Sequence, residues 1–310
     1  FMNCINRHKL FGALLHAWNS TGNKIYAQYF SNTIEDWVRH LPCRKGVSRE
    51  GWNASGGELP CATGTMESPW QVLEAGIRTQ QTWPAPFFGF MRAPEFSTSA
   101  RVLMVLGFAE HNAVLNGPGR LAQTPNWAIC QWSGLITSCV TLPELNNCSN
   151  LIDVAFGELE YWLDKQVYPD GIETEEAFGY DGWTATGFFE VIDLLKRAGH
   201  AAPPKSFTAK VEQMWNYLVQ AEDQTGFAPR DGDADLSRSG WSQTATEYFG
   251  RDDWLYIRTA GRQGTKPLGD SASAMFPWGG QAIIRNHYEQ NSGLWMWFDT
   301  GNTYGSSGHA

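Results

Sequence analysis

The chain has 310 residues, a formal net charge of −9, 42% hydrophobic residues and 18% charged residues. Those proportions exclude an intrinsically disordered chain, and the length is enough to bury a large core. The acidic balance argues against a nucleic-acid partner, which needs a basic face, although a cleft on an acidic protein can still be locally positive for a polyanion.

Taken in chain order, the first 220 residues carry mostly helical patterns. Residues 11–18 (FGALLHAW) read as a helix closed by the turn STGN. Residues 24–41 follow as a second helix, with Ile25, Tyr29, Ile34, Trp37 and Leu41 near helical spacing. Residues 42–67 are rich in Gly, Ser and Cys and read as a loop. SPWQVLEAGIRTQQTW has a start signal in Ser68, Pro69 and Gln71, which predict an N-cap, a first-turn proline and a capping box. SARVLMVLGFAEHNAVL is a further helix, and Thr124–Pro125 opens another, placing Asn126 and Trp127 in its first turn. LIDVAFGELEYWLDKQV, TATGFFEVIDLLKRAG and SFTAKVEQMWNYLVQAED complete the helical part. From Phe276 the pattern changes: GGQAIIRN and GLWMWFDTG read as strands bounded by glycine and asparagine. Two or three strands are too few for an independent sheet, so the β part is expected to be cut short.

Six cysteines form no C-x-x-C pair, which removes the usual zinc-knuckle and redox motifs. Cys43 with Cys61, or Cys139 with Cys148, would close short disulfide loops. With sequons at Asn19, Asn53 and Asn147, they lean toward a secreted or otherwise extracytoplasmic protein. No apolar run is long enough to span a membrane, so no membrane partner is expected. The opening FMNCIN has no visible signal peptide and leaves room for an upstream segment. Fifteen tryptophans suit a helical core first and a sugar-stacking cleft second.

One break between helices stands out. YPDGIETEEAFGYDGW, residues 168–183, concentrates Asp170, Glu173, Glu175, Glu176 and Asp181 around Tyr180 and Trp183. Its Pro-Asp-Gly is a turn sequence, so Asp170 and Gly171 read as structural.

From about Phe11 onward the order of features resembles the heparinase II/III-type polysaccharide lyases and their oligoalginate-lyase relatives. Three stretches carry the resemblance: Asn126 at the start of a helix; Asp170, Gly171, Glu175 and Tyr180 at the family's spacing; and FPWGGQAIIRN…GLWMWFDTGNTYGSSGHA, whose Gly-His-Ala supplies His309. The family often has histidine after the asparagine, whereas this chain has Trp127. The resemblance implies a mainly α fold: an (α/α) toroid of antiparallel helices over 1–220, a loop-rich connection over 221–274, and over 275–310 the first strands of an incomplete antiparallel β-sandwich. It implies no cofactor within these residues, with any metal ligands left to the rest of the sandwich.

The implied reaction is β-elimination on a uronic-acid-containing polysaccharide. The C5 proton is weakly acidic because its neighbouring carboxylate is already negative. The site must therefore neutralise that carboxylate, supply a base and protonate the leaving C4 oxygen. Asn126 would bind the carboxylate without adding a titrating group. Tyr180, with its ordinary pKa of about 10 lowered, would protonate the leaving oxygen and double as base. His309 would take the proton or bind the carboxylate. Glu175 would hold Tyr180 or a sugar hydroxyl, and Trp127, Trp183 and Tyr304 would serve as sugar platforms. Arg78 is either the ion-pair partner of Glu74 or an arginine facing the substrate. Only 23 Lys and Arg in the chain lean toward an unsulfated polyuronate. Rival readings are a uronyl C5-epimerase, a glycoside hydrolase using Glu175 and Asp181, and an inactive carbohydrate-binding fragment.

Overall fold

The computed structural model describes residues 6–41, 69–117, 125–230, 242–269, 271–289 and 293–301. The chain forms two compact units, Phe1–Leu159 and Glu160–Ala310. Among the described residues the secondary structure is mainly α-helical, with one three-stranded sheet near the C-terminal end.

In the first unit, α1 (Leu10–Thr21) and α2 (Lys24–His40) pack against each other. Asn23 caps α2, its side-chain oxygen accepting the Ile25 N–H at 3.0 Å. The buried face of α2 is Ala27, Phe30, Ser31, Ile34, Trp37 and Val38. Ile34 and Trp37 were expected there, but Ile25, Tyr29 and Leu41 are exposed. Phe30 packs into an aromatic cluster with Phe11, Phe90 and Phe96, and Trp37 into a second one with Trp70 and Trp83.

The helix expected from residue 69 starts later. It is α3, Val72–Ile77, with Gln71 at its N-cap rather than in a capping box; Ser68 lies outside the described residues. Trp70 is instead drawn into the core, its indole N–H donating to the Leu41 carbonyl at 2.8 Å. The chain then widens into a π-helical turn, Arg78–Thr82, before Pro84 starts α4 (Pro84–Gly89). Ser97 caps α5 (Thr98–Leu115) through the Ala100 N–H. Pro125 opens α6 (Pro125–Thr141), as its sequence signal predicts. No charged residue occurs along α6, and its side chains are buried on nearly every side. It lies on α3 at a crossing where Gly76 meets the Cys130 carbonyl. Cys139 and Cys148 form a disulfide between the end of α6 and the start of α7 (Cys148–Gln166). Cys43 and Cys61, the other pair considered, lie outside the described residues.

In the second unit, α8 (Phe178–Arg197) packs on α9 (Lys205–Ala221), and α9 on α11 (Asp252–Arg258). The stretch 221–274, expected to be rich in loops, also carries α10 (Gln243–Phe249) and α11. Ser242 caps α10 and paired acids open α11. Strands β1 (Ala274–Phe276), β2 (Gln281–Arg285) and β3 (Trp295–Asp299) form an antiparallel meander with Ile283 opposite both Ala274 and Trp297. Phe276, Gln281, Ala282, Ile283 and Arg285 are its buried residues. Tyr217 of α9 donates to the Gln281 side-chain oxygen at 2.6 Å and packs its ring on Phe276. Met275, Ile284, Met296 and Phe298 are exposed. No helix among the described residues is long and apolar enough to cross a membrane.

Candidate functional site

Two constellations hold the residues singled out by sequence, one in each unit. In the first, Asn126 occupies the first turn of α6 and is 3% exposed, with Trp127 half-buried beside it. The helix dipole there favours a negative group.

Arg78 is not a surface arginine. It is 0% exposed, and burial lowers its pKa to about 9, opposed by the nearby Glu74 carboxylate. Its Nε donates to His111 Nε2 at 2.8 Å and its Nη1 to the Asn6 carbonyl at 2.9 Å. Trp37 and Trp70 flank the guanidinium, 4.7 and 5.4 Å from ring centroid to Cζ. Glu74 makes a two-point pair with Arg7 instead. The ion pair read between Glu74 and Arg78 from their four-residue spacing is thus replaced by a longer-range one. The alternative, an arginine facing the substrate, does not agree with its burial.

Both histidines near Arg78 are neutral at physiological pH. Burial, then the charge of Arg78, holds His111 well below its ordinary value and His8 down to about 3. Because His111 Nε2 accepts from Arg78, its Nδ1 carries the proton and donates to the Gly107 carbonyl at 2.6 Å. Nothing in the sequence marked His8 or His111, since the elements that bring them to Arg78 are far apart in the chain.

In the second unit, the acidic segment is mostly buried. Glu173 and Glu175 are each 0% exposed and Asp181 is 1% exposed. Of the two parts expected of Glu175, binding a sugar hydroxyl does not agree with this burial, whereas holding Tyr180 does not conflict with it. Two of these acids accept backbone N–H groups of the turn itself: Asp181 Oδ1 from Glu173 at 2.6 Å, and Glu173 Oε2 from Glu175 at 3.0 Å. Burial first, then the neighbouring Glu175, pushes the Glu173 carboxyl well above its ordinary range. Asp170 has the structural part assigned to it. Its Oδ2 accepts the Trp278 and Gly279 N–H groups at 2.6 and 3.1 Å, tying the turn to the β1–β2 connection. Gly171 has φ +99°, and a Cβ there would lie 2.4 Å from the Gln213 carbonyl oxygen.

Tyr180 sits in the first turn of α8, not in the loop, because the helix begins at Phe178. It is half-buried, with its ring centroid 6.3 Å from that of Trp183. His309 and Tyr304 lie outside the described residues.

A further buried acid, Glu222, adds a pH response to this unit. It is paired with Arg258, yet burial outweighs the pair and raises its pKa to about 7. A carboxyl with a native pKa above the unfolded value of 4.5 binds its proton more tightly when folded. The stabilisation is complete below the unfolded pKa and is lost as pH rises through about 7; Glu173 acts in the same direction. Over the same range the neutral buried His8 and His111 of the first unit act in the opposite direction, so the test compares the thermal unfolding of the parent with that of Glu222→Gln from pH 5 to pH 8. The part due to Glu222 is at most about 3 kcal/mol. The parent's stability relative to Glu222→Gln should fall as pH rises from 5 to 8; a difference that does not change with pH contradicts the assignment.

A family model described as "Heparinase II/III N-terminus" matches residues 3–253. The heparin-sulfate lyase of Pedobacter heparinus is 21% identical over 269 residues, covering 85% of this chain and 38% of that protein. The heparin-sulfate lyase of Bacteroides stercoris is 20% identical over 294 residues, covering 92% and 43%. The chain thus spans well under half the length of these curated relatives. Among solved structures, heparinase III superposes with a TM-score of 0.77 at 18% identity, over 96% of this chain and 45% of that one. The heparan sulfate lyase of Pedobacter heparinus gives 0.68 at 21%, over 96% and 44%. At these identities the likeness shows the fold: a mainly α, toroid-type helical region followed by antiparallel strands.

Proposed function

Because the chain belongs to the heparinase II/III family, we propose that it supplies the helical part of a lyase that cleaves a uronic-acid-containing polysaccharide by β-elimination. The observation that carries this reading is the family match over residues 3–253, which contains both Asn126 and Tyr180. The relatives' names add support for a lyase acting on a glycosaminoglycan.

In this mechanism the Asn126 amide hydrogen-bonds the uronate carboxylate and stabilises the charge that spreads onto it when the C5 proton leaves. The dipole of α6 acts in the same sense. Tyr180 protonates the departing C4 oxygen, and His309 or Tyr180 itself takes the C5 proton. Trp183 and Trp127 offer ring faces to the sugars. No step is routed through a cofactor or metal. Glu175 belongs to the turn that supports α8 rather than to the sugar. A hydrolase would need Glu175 and Asp181 exposed on either side of a glycosidic bond, and their burial counts against it. The Cys139–Cys148 disulfide supports an extracytoplasmic setting.

The test is a panel of uronate polymers, sulfated and unsulfated, followed by the ultraviolet absorbance of the unsaturated uronate that only β-elimination makes. Heparan sulfate heads the panel because the relatives are named for it. The unsulfated polymers come second, on the small number of cations. Absorbance that appears with one polymer and disappears in Asn126→Ala supports the reading. Reducing-end release without absorbance replaces it with hydrolysis. Proton exchange at C5 without cleavage replaces it with epimerisation, and binding without turnover with a carbohydrate-binding role.

A further inference from the structure

The acidic turn and the first turn of α8 are joined by one buried carboxylate. Ala177, at the N-cap of α8, offers no side-chain cap. The Tyr180 and Asp181 N–H groups both donate to the Ala177 carbonyl, at 2.8 and 3.0 Å, so this first turn is tight. Asp181 reaches back from it to accept the Glu173 N–H at 2.6 Å. Glu173 is in turn held from several sides. Its carbonyl accepts the Glu176 N–H at 3.0 Å, its Oε2 accepts the Glu175 N–H, and the adjacent Thr174 N–H donates to Gln166 at the end of α7. Glu176 is kept at a left-handed φ of +53°. The turn is thus a rigid block, and Asp181 is a bolt between it and α8.

Neighbouring residues on a helix project about 100° apart. Holding the direction of Asp181 therefore sets the rotation of the first turn about the helix axis, and with it the direction of Tyr180. We propose, resting on the lyase reading above, that Asp181 is a positioning residue for the reaction, its carboxylate clamping the Glu173 amide so that Tyr180 presents its phenol in the productive direction. The clamp acts through Tyr180 and touches no substrate. It needs an acceptor oxygen at one distance from the helix, not a negative charge as such. That requirement separates it from a catalytic carboxylate and from a merely stabilising one.

The experiment compares Asp181→Asn, Asp181→Glu and Asp181→Ala in the active protein, with kcat expressed per folded molecule. Asp181→Asn keeps an acceptor at the same distance and should stay within about fivefold of the parent kcat. Asp181→Glu keeps the charge but moves the acceptor by one methylene. It should lower kcat by about a hundredfold, with KM changed less than threefold, which is the scale of loss from misplacing a reacting group by about 1 Å. Asp181→Ala should lose as much, and if it does not fold the other two variants still decide. Equal activity in Asn and Glu variants, or an Asn variant as damaged as Ala, overturns the proposal. Hydrogen exchange over residues 173–183 is read in parallel. Exchange should quicken in Asp181→Glu and not in Asp181→Asn, and unchanged exchange in both Glu and Ala variants also overturns the clamp. If the parent protein turns over no polymer, the lyase reading falls by itself and the exchange result alone judges the clamp.

Discussion

Tyr180→Phe is expected to lower kcat by about three orders of magnitude while leaving KM within a few-fold and the melting temperature almost unchanged. The substitution removes one hydroxyl and keeps the ring, so the packing against Trp183 survives. Proton transfer by a positioned side chain contributes roughly a hundred- to ten-thousandfold, and Tyr180 is assigned at least one such transfer. In the proposed mechanism Asn126 binds the carboxylate and Trp127 and Trp183 the sugars, so binding should change little and the loss should fall on kcat. Steady-state elimination kinetics on the polymer with the highest activity make the measurement. A Phe variant within tenfold of the parent would remove Tyr180 from the chemistry. The same variant with intact reducing-end release would point to hydrolysis instead.

Gly76→Ala is expected to destabilise the first unit by roughly 3 kcal/mol or more, near the upper end for overpacking. A Cβ at residue 76 would lie 2.1 Å from the Cys130 carbonyl oxygen and 2.5 Å from its carbon. Both are backbone atoms of α6, so no rotamer change relieves the clash. Helix α3 must move off α6, and the contacts along that crossing go with it. Gly134, on the other helix, faces the same crossing, where a Cβ would lie 2.7 Å from the Gly76 Cα. Activity should fall as well, because Asn126 is carried on the first turn of α6. Gly12→Ala in α1 is the control: nothing lies within 4 Å of its Cβ position. Removing a helical glycine there should stabilise by about 0.5–1 kcal/mol. Thermal or denaturant unfolding of the two variants side by side makes the comparison. A Gly76→Ala protein as stable as the parent would mean that the helices can separate without loss.

The fold was legible where the signals were local. Pro125 placed the start of α6, and with it Asn126 in a first turn, and the glycine-bounded apolar runs marked β2 and β3. Local signals failed where burial of a distant partner decided the outcome. Ser68, Pro69 and Gln71 spelled a helix start, but Trp70 is held by the Leu41 carbonyl and α3 begins only at Val72. Glu74 and Arg78 have the spacing of an ion pair, but Arg7 takes Glu74 while His111, Trp37 and Trp70 enclose Arg78.

For the candidate site, sequence by itself determined the residue types, their order and the family resemblance, because these depend on spacing along one chain. It also marked Asp170 and Gly171 as turn residues, which depends only on backbone geometry and a carboxylate close to it. Only the tertiary structure decided which acids are solvated. Charged side chains in a break between helices are read as exposed by default. Glu173 and Asp181 are buried with their oxygens on the turn's own backbone N–H groups, which need acceptors once the segment is enclosed. That exchange of water for backbone donors is set by what packs around the segment, and no pattern within residues 168–183 encodes it.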